Sequence, residues 1–341
     1  MIQDAIPANE LNREGEAALY ESLRTMWHPV AASADLAESP LRVLLLDEPL
    51  VVVRLNGQIC AFPDLCLHRG TALSLGWVED GQLRCPYHGW TYGSDGMCTG
   101  IPAHHGTKIP KRACLRALRV TEALGLIWVC LDDQPLFDVP SYPEFHDPNF
   151  HVLRMPVYDW NCSAARRVEN FVDLAHIPWV HDGIIGRRDE PEVPEHEVWR
   201  EGAELRMAAA VKEPASVKTG ASFTASVTWR LIMPFTVVWN QELPDQRHFG
   251  GFIAASPLGR KLTRTFTLRH LNYEVEETKL LELEQVIAEA DRVIAESQRP
   301  EELPVDLTAE LHIRGADRIS IEYRKWLIEI YKKYGGLAIA R

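Results

Sequence analysis

Two short segments, "CLHRG" at 66–70 and "CPYHGW" at 85–90, constrain this chain more than anything else in it. Each holds one cysteine and one histidine: Cys66 with His68, and Cys85 with His88, with 16 residues between the pairs. Gly70, Pro86 and Gly89 punctuate the segments and mark tight turns. Two turns that each offer a thiolate and an imidazole can hold a [2Fe–2S] cluster, one iron taking both cysteines and the other both histidines. Neutral imidazoles in place of two thiolates raise the potential and leave one iron reachable through ring edges that can pass electrons. Two Cys and two His also suit structural zinc. Zinc fingers usually keep like ligands together, however, and here the order is Cys-His then Cys-His, so the Rieske type of cluster is the preferred reading.

The chain of 341 residues is long for one domain and comfortable for two. Its net charge of −12 argues against nucleic acid and anionic membrane as partners, while leaving room for a local basic patch that docks a redox protein. The first 20 residues lack a basic start followed by an apolar core, so no signal peptide is expected. No run of 18 apolar residues suggests a membrane span. Seven cysteines, an odd number spread thinly, fit a reducing cytoplasm better than a disulfide framework.

Residues 10–27 read as a helix. From about Pro40 to Asp132 short strands alternate with turns; "LRVLLLDEPLVVVRLNGQICAFPD" reads as one hairpin run turning at Asn56-Gly57, and "EALGLIWVCL" as a strong strand. The proline-rich stretch 132–150 reads as a linker. Beyond it "SAARRVENFVDLAHI" has helical spacing, 197–275 alternates as a long antiparallel sheet, and 277–299 and 317–334 are helices. The expected architecture is α+β: an N-terminal helix with an all-β [2Fe–2S] domain over 1–135, then a helix-grip-like, antiparallel-sheet catalytic domain over 136–341.

The segment "NFVDLAHIPWVH" at 170–181 holds one carboxylate and two imidazoles, the ligand types of many oxygen-activating non-haem iron(II) centres. Asp173 and His176, three apart, would share a helical face. His181 lies about 140° further round an ideal helix, on the wrong side for a shared metal. Pro178 lies between them, and a helix that bends or ends there lets His181 swing back beside His176. In isolation, two histidines near a proline are more often structural; beside a cluster motif on the same chain the metal reading gains.

Together these motifs resemble the catalytic subunit of the Rieske non-haem iron oxygenases. "CLHRG…CPYHGW" matches the family's cluster motif and "NFVDLAHIPWVH" its mononuclear-iron motif. The resemblance runs from "MWHPVA" to "YRKWL" and is strongest to the dicamba and vanillate O-demethylases. "WNCSAARRVENFVDLAH" is similar to methylxanthine N-demethylases, and "IPAH" and "LIWVCL" to saxitoxin-pathway hydroxylases. It implies that the iron carboxylate comes from a late helix: in "EADRVIAESQRP", Asp291 stands at the matching place, with Glu289 and Glu296 as rivals on sequence alone. Iron would then sit on His176, His181 and Asp291. Asp173 would bridge His176 to the cluster ligand His88 of a neighbouring subunit in a head-to-tail homotrimer, because the two metal sites of one subunit are expected to lie too far apart for fast transfer. Neither motif loop has a spare cysteine, so the disulfide of respiratory-chain Rieske proteins is not expected.

The chain shows no flavin or nicotinamide fingerprint and no four-cysteine ferredoxin segment, so electrons from NADH or NADPH must arrive through a separate reductase, with or without a ferredoxin. Cys60, Cys98, Cys114, Cys130 and Cys162 lack ligand spacing and read as mostly buried thiols, and His104 and His105 as surface or packing residues. Pocket candidates are Asn170, Phe171, Trp179, Phe223, Trp229 and Asn240, with Asn170 favoured. The resemblance implies monooxygenation or oxidative N- or O-demethylation of a small aromatic or heterocyclic compound with O2. Cis-dihydroxylation of an aromatic ring is the alternative reaction. A Rieske electron carrier, needing no second iron, and a zinc-stabilised binding module are alternatives of other classes.

Overall fold

The computed structural model describes residues 17, 19–104, 106, 108–213 and 222–335. His105 and positions 10–16 and 18 of the expected first helix lie outside them; within them, residues 19–22 are helical and Leu23–Thr25 close as a 3-10 turn. The chain divides into two compact units, Leu23–Val139 and Pro140–Arg341, with the segment ending at Ser22 grouped with the second.

The first unit is all-β. Strands β1 (His28–Ala32), β9 (Arg119–Ala123) and β10 (Leu126–Cys130) form one antiparallel sheet in the order β1-β10-β9. Strands β2 (Leu41–Leu45), β3 (Glu48–Leu55) and β4 (Gln58–Pro63) form a second, and β5 (Trp77–Glu79), β6 (Gln82–Arg84), β7 (Thr91–Tyr92) and β8 (Cys98–Gly100) a third. The single hairpin expected over residues 41–64 is a three-stranded meander with two turns. Asn56-Gly57 makes one; Leu46 and Asp47, with φ of 51° and 62°, make the other. Both central residues of such a two-residue turn take positive φ, which is why a turn without glycine escaped the sequence signal. Val51, Val53, Phe62, Leu73, Leu83 and Tyr92 build the core, and Cys66 and Cys85 are part of it.

The second unit is built on one eight-stranded antiparallel sheet. Strands β11 (His151–Arg154) and β12 (Tyr158–Trp160) both pair with β18 (Leu262–Leu271). The path continues through β17 (His248–Gly259), β16 (Thr236–Glu242), β15 (Phe223–Ile232) and β14 (Glu204–Glu213) to β13 (His196–Glu201). In β15 the odd-numbered positions 225–231 are buried and most even ones exposed, the alternation of a half-covered strand. Helix α1 (Ala164–Val172) packs on β17 and β18 and against the later helices α3 (Glu277–Ser297) and α4 (Arg318–Ile330), with the short α2 (Ile177–Val180) following α1. Ser163 caps α1 by accepting from the Arg166 N–H.

Buried charge fixes α1 to its neighbours. Arg324 of α4 clamps Glu169 through both carboxylate oxygens at 2.6 and 2.7 Å, and Arg166 and Arg324 share Glu310 at 2.5 Å each. Bidentate guanidinium–carboxylate pairs of this kind specify orientation as well as contact.

Candidate metal centres and active site

The loop after β4 and the β6–β7 loop fold alike. The Gly70 N–H donates to the Cys66 carbonyl at 2.8 Å, and the Gly89 N–H to the Cys85 carbonyl at 3.1 Å. Both glycines sit at φ near +67°, a conformation that costs other residues strain. The result is two buried thiols within hydrogen-bonding reach of each other, Cys66 also contacting the Tyr92 hydroxyl at 3.2 Å. His68 and His88 are exposed, with ring centroids 4.5 Å apart, and His68 stacks on Trp90.

This donor set fits a two-iron cluster and not one zinc. A single tetrahedral zinc draws its ligand atoms to within about 4 Å of one another. Among the described residues only His176, His181 and Asp291 offer three or more metal-ligand atoms within 4.8 Å, and the Cys66, His68, Cys85 and His88 set does not. Buried sulfur on one side and exposed imidazole on the other is the polarity that an electron-transfer cluster needs. The other cysteines are free thiols; Cys60, Cys98, Cys130 and Cys162 are buried and Cys114 partly so.

The second constellation forms differently from the helical expectation. Helix α1 ends at Val172, with Asp173 as its extended C-cap. The break precedes Pro178, which sits in the first turn of α2, where proline's missing N–H costs nothing. Asp173 meets His176 through a local turn, not a shared helical face. Its carboxylate accepts the backbone N–H groups of Ala175 and His176 at 2.9 and 3.2 Å, and contacts His176 Nδ1 at 3.2 Å. His181, the C-cap of α2, then lies beside His176, ring centroids 5.2 Å apart.

Asp291 comes from α3, whose buried residues Leu280, Glu284, Asp291 and Ala295 follow helical spacing along one face. Asp291 Oδ1 lies 3.3 Å from His176 Nε2 and 2.9 Å from His181 Nε2. The rivals face elsewhere: Glu289 pairs with Arg292, and Glu296 with Arg292 and Asn161. Asn170 joins the set by donating to Asp291 Oδ1 at 3.4 Å while accepting from buried Arg167 at 2.8 Å. Burial opposes charge on His176, but hydrogen bonds to Asp173 and Asp291 outweigh it and push the imidazole up to about 9. Burial likewise opposes the Asp291 carboxylate, yet His176, His181 and Arg167 hold it well below the usual range. A strongly anionic carboxylate converging with two imidazoles is a donor set suited to iron(II), with open positions left for other ligands.

A cavity opens from these three residues. Phe171, Leu174, Ile177, Trp229, Trp239, Gln241, Arg269 and Glu284 are among its walls. Of the pocket candidates, Phe171 and Trp229 line it. Trp179 is 56% exposed, and Phe223 opens β15 away from the lining. Asn240 falls on the opposite face of β16, where it donates to Glu144 at 3.1 Å in a separate cleft. Its neighbours Trp239 and Gln241 take the inward places instead. Strand alternation was visible in "VVWNQE", but its parity follows only from the register, which sets Trp239 opposite Trp229 and Gln241 opposite Val227.

Comparison with known proteins agrees with this geometry. The Rieske [2Fe-2S] domain matches residues 26–118, and the vanillate O-demethylase oxygenase C-terminal domain matches 160–333. Methylxanthine N1-demethylase NdmA of Pseudomonas putida is 33% identical over 324 residues, covering 91% of this chain and 90% of the relative. Its structure with caffeine superposes with a TM-score of 0.84 at 29% identity, over 94% of this chain and 95% of that one. Dicamba monooxygenase bound to dicamba shares the fold, with a TM-score of 0.78 at 22% identity over 94% of this chain and 99% of that one. The chain belongs to the Rieske non-haem iron oxygenases, in the group that includes the methylxanthine, vanillate and dicamba demethylases.

Proposed function

We propose that this chain is the terminal oxygenase component of a system that hydroxylates, or oxidatively N- or O-demethylates, a small aromatic or heterocyclic compound. Cys66, His68, Cys85 and His88 hold the [2Fe–2S] cluster, and His176, His181 and Asp291 the mononuclear iron. The observation that carries the reading is the convergence of those last three residues at the base of a cavity walled by Phe171, Trp229 and Trp239. Bound iron(II) supplies oxygen activation, using electrons passed from the cluster. The protein's own part is positional. The aromatic walls orient a flat ring, Asn170 steadies Asp291, and Asp173 holds His176 through its Nδ1. Hydroxylation of an N- or O-methyl carbon by O2, two electrons and two protons yields water and a product that releases formaldehyde.

NADH or NADPH is the electron source, through a separate reductase with or without a ferredoxin. The relatives named as an oxygenase subunit of vanillate demethylase and an oxygenase component of dicamba demethylase support this division of labour. A head-to-tail homotrimer, in which Asp173 contacts His88 of the partner subunit, accounts for the exposure of His68 and His88 and the partial exposure of Asp173. Among the described residues no helix is long and apolar enough to cross a membrane; a cytoplasmic location is part of the same proposal.

The test is oxygen uptake with a reductase over methylated aromatics and heterocycles, with formaldehyde and metal content measured alongside. About three irons per chain and formaldehyde matched to oxygen are expected. A diol product without formaldehyde would move the chain to ring dihydroxylation, and about two irons without substrate oxidation would make it a carrier.

A further inference from the structure

Four arginines are buried among the described residues: Arg166, Arg167, Arg269 and Arg324. Three of them pair with carboxylates. Arg166 bonds Glu310, Arg324 bonds Glu169 and Glu310, and Arg269 bonds Glu284 at 2.5 Å. Arg269 takes up its position because Gly251, which pairs with it across β17 and β18, is bare. A Cβ at 251 would come within 2.5 Å of an Arg269 guanidinium nitrogen. The Arg269 guanidinium also lies 5.5 Å from the Trp239 ring.

Arg167 is the exception. It is 5% exposed, yet among the described residues its hydrogen-bond acceptor is a neutral amide: it donates to Asn170 Oδ1 at 2.8 Å, and its Nε has no partner. Two rings flank the guanidinium, Trp160 at 4.2 Å and Phe171 at 5.6 Å. A guanidinium stays charged in proteins, and aromatic faces offset only part of the cost of burying it. Burial pushes the Arg167 pKa down, and Asp291 is the strongest charge acting the other way.

One amide stands between Arg167 and Asp291. Arg167 and Asn170 are three apart on α1 and share a face. With its oxygen turned to the guanidinium, the Asn170 amide aims Nδ2 at Asp291 Oδ1, 3.4 Å away. The flipped amide would set N–H groups against the guanidinium and oxygen against the carboxylate, so the pair of neighbours fixes its orientation. The same Asp291 oxygen faces His176 and His181. The unpaired charge is therefore aligned on the atoms proposed to hold iron. A fixed cation repels iron(III) more than iron(II), in proportion to charge, and the more so away from water.

We propose that Arg167 is a positioning residue of the mononuclear site: it locks the Asn170 amide with its N–H toward Asp291 and supplies a permanent buried charge that favours iron(II) over iron(III). This rests on the oxygenase reading above and deepens it, since iron(II) is the state in which such a donor set takes oxygen.

The test is an anaerobic redox titration of the iron-loaded holoenzyme with mediators, read by the high-spin ferric electron paramagnetic resonance signal, which the [2Fe–2S] cluster does not give. Arg167→Met, similar in length and uncharged, should raise the ferric-to-ferrous ratio at a fixed potential at least about tenfold, a midpoint about 59 mV lower. Arg167→Gln, which keeps an N–H for Asn170 and loses the charge, should move the same way. Neither should lower the melting temperature, because each removes a buried charge that has no ion pair. A lowered melting temperature with a ratio changed less than about twofold marks a packing residue and overturns the proposal, and so does failure of both variants to fold. If one variant folds, its ratio decides alone. A native protein that binds only two irons sinks the oxygenase reading and this proposal together. A third iron with an unmoved midpoint in the variants sinks this proposal alone. The expected midpoint shift in a protein that oxidises no methylated ring sinks the oxygenase reading alone.

Discussion

Asp173 touches no atom of the proposed iron site except through His176, and its work is done at the far side of that ring. Its carboxylate fixes the Nδ1–H and, by accepting two backbone N–H groups, the turn on which the ring is mounted. Asparagine can keep one acceptor and the turn, but it loses the charge that orients and polarises the imidazole. Asp173→Asn is therefore expected to retain both the cluster absorption and the mononuclear iron while turnover falls about 100-fold. In single-turnover work its cluster should stay reduced in the presence of substrate and oxygen; full activity with the physiological donors would end the bridging role. Asn170, also singled out in the sequence, has a different place from a wall residue. It ties buried Arg167 to Asp291 and so acts on the carboxylate.

At the scale of elements, the geometry of the site depends on α2 and the loop that returns beneath it. The Gly186 N–H donates to the His181 carbonyl at 3.2 Å, and a Cβ there would meet the Ile177 carbonyl oxygen at 2.4 Å and Pro178 Cα at 2.9 Å. Backbone cannot yield as a side-chain tip can, so Gly186→Ala must displace the turn joining the two histidines. The expected result is loss of mononuclear iron by metal analysis with an unchanged cluster spectrum, and a stability cost of about 1–3 kcal/mol. The residues proposed to hold the metals were legible in the sequence because metals demand particular side chains at particular spacings, and the structure brings His176, His181 and Asp291 together. What surrounds them was not. The turn at Leu46-Asp47 has no glycine to announce it, and β11 and β12 are too short to show a period. Asn240 is a pocket candidate on sequence, and Trp239 and Gln241 are not, because one residue of strand parity separates wall from outer face and only cross-strand pairing fixes it. The order of α1, Asp173 and Pro178 was inverted for a related reason: a proline that can break a helix can equally begin one.

For the whole molecule, the two units share an acid sensitivity with separate origins. In the first, burial drives His28 down to about 4 against a bond to the Leu23 carbonyl that favours its charge. In the second, burial, helped by Arg269 and His248, drives His270 down to about 4, and its Nδ1 lies 2.6 Å from the Tyr142 hydroxyl. Below an ordinary histidine value near 6.5 the unfolded chain takes up protons that the folded one refuses until about pH 4. Folding stability should therefore fall as pH drops through that window, by roughly 3 kcal/mol for each histidine at most. Chemical denaturation at intervals between those limits checks it, and His270→Gln should flatten the slope of the second unit alone. A stability unchanged across the window would show that neither ring is held neutral.

Gly251 has a consequence for how this protein tolerates change. It bears no side chain, carries no charge and holds no metal, yet the guanidinium, the indole and the carboxylate around it keep their places only while it stays bare. In a saturation scan it should appear as intolerant as a metal ligand. Its neighbour across β16, Trp239, should accept other flat side chains. The shape of the binding chamber is thus inherited through a missing methyl group, and a search for altered preferences that samples only residues with side chains would overlook the position that governs them.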